Sequence, residues 1–308
     1  MNYPLGWPVL PGITVRRERR MERPGLALVE PGQEVQPDQA IARVNPLGSA
    51  GSAPFAPSRF GAQTLRAGLR GQVVEASARG VTIEGLVAVV QGLLGVGDQV
   101  VGQLNILSKE ALKVPADMIP LTRGVILVVP GPLKRDLLEH ATRSEVAGLV
   151  ASSMAVTELE GALGIDLTAL LDDLSIPESA HPRPALLFTE GLGDRPMASP
   201  TLALLRQHGG DYALLSGITD PRRNRRPELL ISLPPGAHPP AVKADPRIIN
   251  GALVRVSSGE YAGEIGQVIQ LFQRPQRLPS GIHARAAYVR LERGLKVTLP
   301  IYNLERIA

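Results

Sequence analysis

The chain has 308 residues, a formal net charge of +4 at pH 7 and no cysteine. This length is enough for two or three domains that each have a core of their own. The lack of cysteine excludes disulfides, thiolate metal sites and cysteine nucleophiles. No run of apolar residues is long enough to span a membrane.

The N-terminal sequence MNYPLGWPVLPGITVRRERR places its basic residues after its apolar ones. A signal peptide has the opposite order, so we expect a cytoplasmic protein and treat residues 1–20 as an N-terminal arm. Arginine far outnumbers lysine, and the chain contains 28 prolines. This bias is typical of a GC-rich or heat-adapted source, and composition does not distinguish the two.

Residues 21–112 are predicted to form a small β domain. The segments GLALVEPGQEVQPDQAIARV (25–44) and GLLGVGDQVVGQLNIL (92–107) look like a degenerate repeat around the strand pair GQVVEASARGVTIEG (71–85). Short paired strands with glycine turns favour a sandwich that closes on itself. The unit resembles the barrel-sandwich hybrid fold of lipoyl and biotinyl carrier domains. Those carriers attach their cofactor to a lysine, and residues 1–108 contain none, so carrier chemistry is excluded.

An insertion in this unit, NPLGSAGSAPFAPSRFGAQTLRAG (45–68), has no acidic residue and contains Phe55, Arg59 and Phe60. Its usual meaning is a surface loop whose phenylalanines pack back onto the sandwich. The alternative is a partner-docking loop in which Phe55 and Phe60 are aromatic anchors with Arg59 beside them.

Residues 113–233 alternate between strand-like and helix-like segments, which predicts an α/β domain with a mostly parallel sheet covered on both faces. Thr157 is expected to cap a helix at its start and Gly164 to end it. The expected strands are 125–129, 146–152, 185–189, 212–216 and 228–233, and the expected helices are 133–143, 157–163, 166–174 and 201–208.

Ligands of α/β sheets collect beyond the carboxyl ends of the strands. Ser153, Glu190 and Asp194 follow predicted strands and could surround a polar ligand there. Alternatively, the two carboxylates only cap helices or solvate a loop. No nucleotide-binding, hydrolase or metalloprotease motif is present in the sequence, so no catalytic residue is assigned.

The five histidines show no metal-ligand spacing, and neither a metal nor a cofactor is expected. His140 and His208 lie near predicted helix ends, where histidine commonly interacts with the last carbonyls.

A proline-rich linker, residues 234–246, is followed by a C-terminal unit, residues 247–308. The stretch VRVSSGEYAGEIGQVIQL (254–271) combines strand-like alternation with Gly259, Gly263 and Gly266. Together with AYVRLERGLKVTLPIYNLERI (287–307), it resembles the KOW motif of ribosomal proteins and NusG-type transcription factors. The resemblance implies a five-stranded SH3-like barrel that binds RNA or protein partners of the transcription and translation machinery.

The C-terminal unit departs from the KOW pattern at two places. Glu260 and Glu264 flank the hairpin tip, where RNA binding would favour basic residues. The inserted segment FQRPQRLPSGIHARA (272–286) carries Arg274, Arg277 and Arg285 with Phe272 and has no acidic residue. It is the candidate phosphate-contacting surface, and its alternative is a solvated arginine loop.

The sequence therefore predicts a multi-domain protein that is part α/β and part all-β. The favoured function is a non-enzymatic binding or adaptor protein that contacts RNA, DNA or the associated protein machinery through its C-terminal barrel. One alternative is a structural subunit of a homo-oligomer or larger assembly. The other is an enzyme or small-ligand binder that uses the central domain.

Overall fold

The structure, a computed structural model, describes residues 9–21, 24–44, 64–108, 110–164, 184–219, 225–239, 247–257 and 259–307. Strands dominate these residues and form several sheets, and three α-helices accompany them. The predicted combination of α/β and β structure is thus confirmed. None of the helices in these ranges is both long and apolar enough to cross a membrane.

The strands before the centre of the chain are β1 (Val9–Arg20), β2 (Gly25–Ala27), β3 (Glu34–Val35), β4 (Ala40–Val44), β5 (Thr64–Arg66), β6 (Gly71–Ser77), β7 (Gly80–Gln91), β8 (Leu94–Val96) and β9 (Gln99–Ile106). The central elements are β10 (Ile126–Val129), α1 (Arg135–Arg143), β11 (Gly148–Met154), α2 (Val156–Leu163), β12 (Ala185–Leu192), α3 (Ser199–Gln207), β13 (Tyr212–Ser216) and β14 (Glu228–Ser232). The C-terminal strands are β15 (Leu253–Val256), β16 (Ile265–Leu271), β17 (Gln276–Arg277), β18 (His283–Ala284), β19 (Ala286–Leu291), β20 (Lys296–Pro300) and β21 (Leu304–Arg306).

The central sheet closes on itself. Strands β9, β10, β11 and β12 are parallel in chain order, and β13 and β14 continue from β9 in antiparallel pairing. β14 pairs with β7, while β8, which follows β7 after two residues, pairs with β12. At this step the Gly92 N–H donates to Pro227 O and the Leu93 N–H to Phe188 O. The ring is therefore parallel over four strands and antiparallel over the rest.

One side of strands β7 and β9 to β14 is buried in a common apolar cluster with α3, whereas β8 packs in the cluster that contains α1 and α2. Leu204 and Leu205 of α3 lie in the first of these clusters together with residues such as Leu187 and Ile231. The opposite side of β10 to β12 packs against α1 and α2 in the second cluster. Continuous burial on both faces explains why these strands are uniformly apolar rather than alternating.

The helix termini agree only partly with the sequence. Gly164 ends α2 in the left-handed conformation at φ 69°, as predicted. Thr157 does not cap the helix, because α2 begins one residue earlier and Ala155 occupies the N-cap position. The expected helix 166–174 lies outside the described residues.

The sheet crosses the predicted boundary at residue 112. β9 pairs with β10 and β13 rather than with strands of the N-terminal unit, so 92–107 does not form the second half of a repeat with 25–44. The β2–β4–β5 sheet and the β3–β6 pair pack beside β7, where Val73 and Ile83 join Leu214 and Leu230 in a third cluster.

Residues 9–20, expected as part of an arm, instead form strand β1 along β7. Arg17 pairs with Glu228 at 2.7 Å. Arg19 is buried and donates to Arg66 O at 3.1 Å and to Gln99 Oε1 at 2.5 Å. Burial alternates from Val15 to Arg20, with residues 15, 17 and 19 more buried than residues 16, 18 and 20, but the charged side chains at positions 17 and 19 hide this alternation in the sequence.

The C-terminal unit is a five-stranded antiparallel sheet in the order β20–β19–β16–β15–β21, with its own apolar core. A short 3-10 turn, Ile301–Asn303, joins β20 to β21. Gly259 and Gly263 have φ of 92° and 87°, and a Cβ on Gly266 would lie 2.7 Å from Arg290 O. These glycines therefore serve left-handed turns or a close backbone approach.

Candidate functional site

The C-terminal unit is docked on the loop that follows β12. Arg255 of β15 is only 3 % exposed and Glu190 at the end of β12 is 2 % exposed. The Arg255 guanidinium donates from Nη1 to Glu190 Oε2 at 2.5 Å and to Thr189 O at 3.1 Å, and from Nη2 to Glu305 Oε2 at 2.6 Å. One guanidinium therefore joins two carboxylates and a carbonyl from two units of the fold.

Electrostatics favour this arrangement. Burial by itself would lower the pKa of Arg255, but attraction from Glu190 and Glu305 and hydrogen bonds to both outweigh it and raise the pKa above its ordinary value. The cation is thus held firmly in its charged form, as expected for a buried arginine with good carboxylate partners.

Further contacts join the C-terminal unit to the central ring near the ion pair. Ala198, which precedes α3, shares a small cluster with Ile265 and Ile307 of the C-terminal unit. The Ser199 hydroxyl donates to Glu292 Oε1 at 3.0 Å. The side chain of Arg195 lies against Gly263, so that a Cβ there would be 2.7 Å from its Nε. The two units therefore meet in a packed contact and not only at one charge pair.

This contact occupies the place where a strand-end ligand was predicted. The Ser153 hydroxyl donates to Arg195 O at 3.1 Å and accepts from Arg195 N at 2.9 Å. Glu190 is used by Arg255 and also accepts from Ala198 N at 3.4 Å. Asp194 is exposed. Ser153 and Glu190 both contact the loop that follows β12, and the side chains of both are hydrogen-bonded to other residues of the protein. Asp194 does not join them.

Two buried hydroxyl groups lie next to Ser153 and Glu190 in the chain. Ser152 Oγ and Thr189 Oγ1 are buried and have no hydrogen-bond partner within the described part of the chain. They lie one residue before Ser153 and Glu190, at the ends of the neighbouring strands β11 and β12. They are the one polar feature of this strand end that the docked unit leaves unsatisfied.

The inserted segment 272–286 is a β-hairpin and not an irregular loop. β17 and β18 pair as Gln276 with Ala284 and Arg277 with His283, and Gly281 at φ 84° forms the turn. The hairpin leaves β16 at Leu271, six residues beyond the docking residue Ile265. At about 3.3 Å per residue this distance is roughly 20 Å, so docking leaves the hairpin uncovered.

The predicted arginines lie on this hairpin as expected. Arg274, Arg277 and Arg285 are all exposed, and none is ion-paired with any residue that the structure describes. Arg277 and its cross-strand partner His283 share a face of the hairpin, and Arg285 is the residue between β18 and β19. Phe272 is half-buried at the base, and its N–H donates to Ala286 O at 3.1 Å.

Two of the four acidic residues of the C-terminal unit are ion-paired away from the hairpin. Glu305 pairs with Arg255, Glu264 with Arg293 at 2.9 Å, and Glu292 accepts from Ser199. Glu260 and Glu292 are the exposed members of the four. Nine basic residues face four acidic ones between 246 and 308, and the three hairpin arginines are part of this excess positive charge.

Sequence reasoning missed two residues. Arg255 lies between two valines of an alternating strand, which gave no sign of its carboxylate partners. Tyr302 in the 3-10 turn is 85 % exposed, and the N–H of its neighbour Ile301 donates to Arg285 O at 2.9 Å. An aromatic residue directly after a Pro-Ile strand end was the available signal for Tyr302.

The remaining site predictions concern histidines, metals and the long insertion. His140 Nε2 lies 3.0 Å from Ile119 O and His208 Nδ1 lies 2.9 Å from Asp211 Oδ2. No cluster of potential metal ligands occurs within the described ranges. Phe55, Arg59 and Phe60 lie outside the described residues.

Comparison with known proteins finds no family model, no curated protein and no solved structure that matches this chain.

Proposed function

We propose that this protein is a non-enzymatic nucleic-acid-binding adaptor whose C-terminal unit, an SH3-like barrel of the KOW type, contacts the phosphate backbone through the 272–286 hairpin. The observation that carries this proposal is the hairpin itself. It presents Arg274, Arg277 and Arg285 to solvent without acidic partners among the described residues. Exposed arginines without partners are the groups that neutralise phosphates and release counterions.

The rest of the fold supports this role by fixing the direction of the hairpin. The buried contact between Arg255 and Glu190 joins the C-terminal unit to the central ring, so the hairpin is held at a defined place on a larger body. In this proposal the N-terminal strands are a barrel-sandwich-type module without carrier chemistry, and the central α/β unit is a scaffold.

Binding to RNA tests the proposal directly. Labelled RNA of mixed sequence is titrated with the full chain at low salt and then at rising salt. We expect binding at low salt, and a logarithm of the association constant that falls linearly with the logarithm of salt concentration. No binding of RNA or DNA at low salt would contradict the proposal.

A second candidate, the structural subunit of a homo-oligomer or larger assembly, is favoured by one separate observation. Leu26 and Leu28, on or next to β2, are 66 % and 42 % exposed, and Val74 of the neighbouring strand β6 is 39 % exposed. Apolar groups exposed near an edge strand favour contact with protein. Sedimentation of the chain alone, compared with its Leu26→Asp variant, tests this candidate without involving the hairpin.

A further inference from the structure

The nature of the nucleic acid follows from a residue outside the hairpin. Tyr302 is 85 % exposed, whereas Phe272, the aromatic residue of the inserted segment, is half-buried at the base of the hairpin. The phenol of Tyr302 makes no hydrogen bond or ring contact within the described part of the chain. Its ring is therefore available to a ligand.

The position of Tyr302 connects it to the arginines. Ile301 is hydrogen-bonded through its N–H to Arg285 O, and Tyr302 is the next residue. The ring is therefore carried by a turn whose backbone is hydrogen-bonded to the backbone of Arg285.

The backbone beneath Tyr302 is held on both sides. Ile301 packs against the core of the C-terminal unit, and Asn303 O accepts from Ser257 N at 2.8 Å. A ring on a fixed turn loses little conformational freedom when a flat ligand stacks on it, so stacking there is not offset by a large ordering cost.

We infer that the nucleic acid bound by this surface is single-stranded, with one unpaired base stacked on Tyr302 while the hairpin arginines contact the adjacent phosphates. This inference rests on the proposed function. Bases in a duplex are stacked on one another and offer no face to a protein ring, whereas every unpaired base does. Stacking of this kind also tolerates any base, so we expect affinity without strong sequence preference.

The test compares a uridine oligomer with an RNA duplex of equal length at the same salt concentration. We expect the full chain to bind the single strand more tightly. Tyr302→Ala should weaken single-strand binding by about 5- to 150-fold, the loss that corresponds to one stacked base. It should leave duplex binding unchanged. Tyr302→Phe keeps the ring and should bind like the parent chain.

Tyr302→Trp supplies a readout independent of affinity. The parent chain has a single tryptophan, Trp7, so emission added by the variant reports on position 302. We expect the oligomer to quench this added emission, because a stacked base lies against the indole.

The outcomes distinguish failure of the single-strand inference from failure of the proposed function. Equal or tighter binding of the duplex, together with an unchanged Tyr302→Ala variant, would overturn the single-strand inference and leave phosphate binding by the hairpin standing. Failure of the parent chain to bind either RNA at low salt would overturn the proposed function and this inference with it. The melting temperature of Tyr302→Ala serves as the folding control.

Discussion

Arg255 Nη1 and Glu190 Oε2 lie 2.5 Å apart, although the two residues are 65 positions apart in the chain. Both side chains are almost completely buried. A buried charge that loses its partner is strongly destabilising, whereas the intact pair adds far less net stability than that loss suggests. The pair therefore specifies how the C-terminal unit sits on the central ring.

Replacing Arg255 with Met is expected to lower the free energy of unfolding by about 3–5 kcal/mol, because Glu190 is left as a buried carboxylate without its cation. The double variant Arg255→Met/Glu190→Gln should recover part of this loss. Urea unfolding of the two single variants and the double variant measures the coupling.

Arg19 is the matched control for Arg255. It is also buried, but its partners are a carbonyl and an amide, and burial lowers the pKa of Arg19 to about 10. Arg19→Met removes hydrogen bonds without leaving a carboxylate uncompensated, so we expect a loss of only about 1 kcal/mol. Equal losses for Arg19→Met and Arg255→Met would contradict the role given to the ion pair.

Gly263 is expected to tolerate a side chain less well than Gly251. Both have positive φ, at 87° and 85°, but a Cβ at Gly263 meets Arg195 while the space at Gly251 is open. Gly251→Ala should cost about 1–2 kcal/mol from backbone strain, and Gly263→Ala should cost roughly 1 kcal/mol more from crowding at the docking contact. Thermal unfolding compares them. Identical melting temperatures would mean that the flexible Arg195 side chain moves aside without weakening the docking contact.

Replacement of Leu205 tests whether α3 fills the interior of the closed central sheet. Leu205 is completely buried on the inner side of the central sheet. Leu205→Ala should destabilise the protein by about 2–5 kcal/mol through lost burial and the cavity that remains. Met118→Ala, at a residue 68 % exposed, should leave the melting temperature nearly unchanged. A small effect of Leu205→Ala would show that α3 does not fill the ring.

The local elements of the central unit were predictable because burial on both faces makes its strands continuous apolar runs. Tyr212–Ser216, for example, has the bounds expected from the sequence. Closure of the sheet was not predictable. It depends on pairing between the end of β7 and residues near Pro227 and Phe188, and no local pattern encodes contacts so distant in the chain.

The candidate site residues, like the fold, were predictable from the sequence only in part. Alternation in Val-Arg-Val correctly places Arg255 on the opposite face of β15 from the valines. It gives no information on whether that face meets water or another unit. The same covering gives Ser153 and Glu190 hydrogen-bond partners within the protein, which the sequence did not indicate. The exposure of the hairpin arginines agrees with the sequence, because a polar, proline-containing insertion has little apolar surface to bury.

Glu260 is expected to oppose binding, because it is exposed and follows Gly259, whose position lies beside the side chain of Asn303, the neighbour of Tyr302 in the chain. Glu260→Gln should raise the affinity for single-stranded RNA about twofold at low salt, an effect that screening removes at high salt. Glu30→Gln makes the same charge change at an exposed residue of the N-terminal unit. If both variants gain equally, only net charge matters and the nucleic acid does not pass the 259–260 turn.

The most direct measurement is the salt dependence of RNA binding by the variant Arg274→Ala/Arg277→Ala/Arg285→Ala. Each phosphate neutralised contributes roughly 0.7 to 0.9 to the slope of log affinity against log salt, so the variant should lose about 2 to 3 units of slope. Its preference among RNA sequences should not change. The control Arg20→Ala/Arg79→Ala/Arg206→Ala removes three exposed arginines outside the C-terminal unit and should keep the parent slope. An unchanged slope in the hairpin variant, or equal losses in both, would contradict phosphate contact by the hairpin.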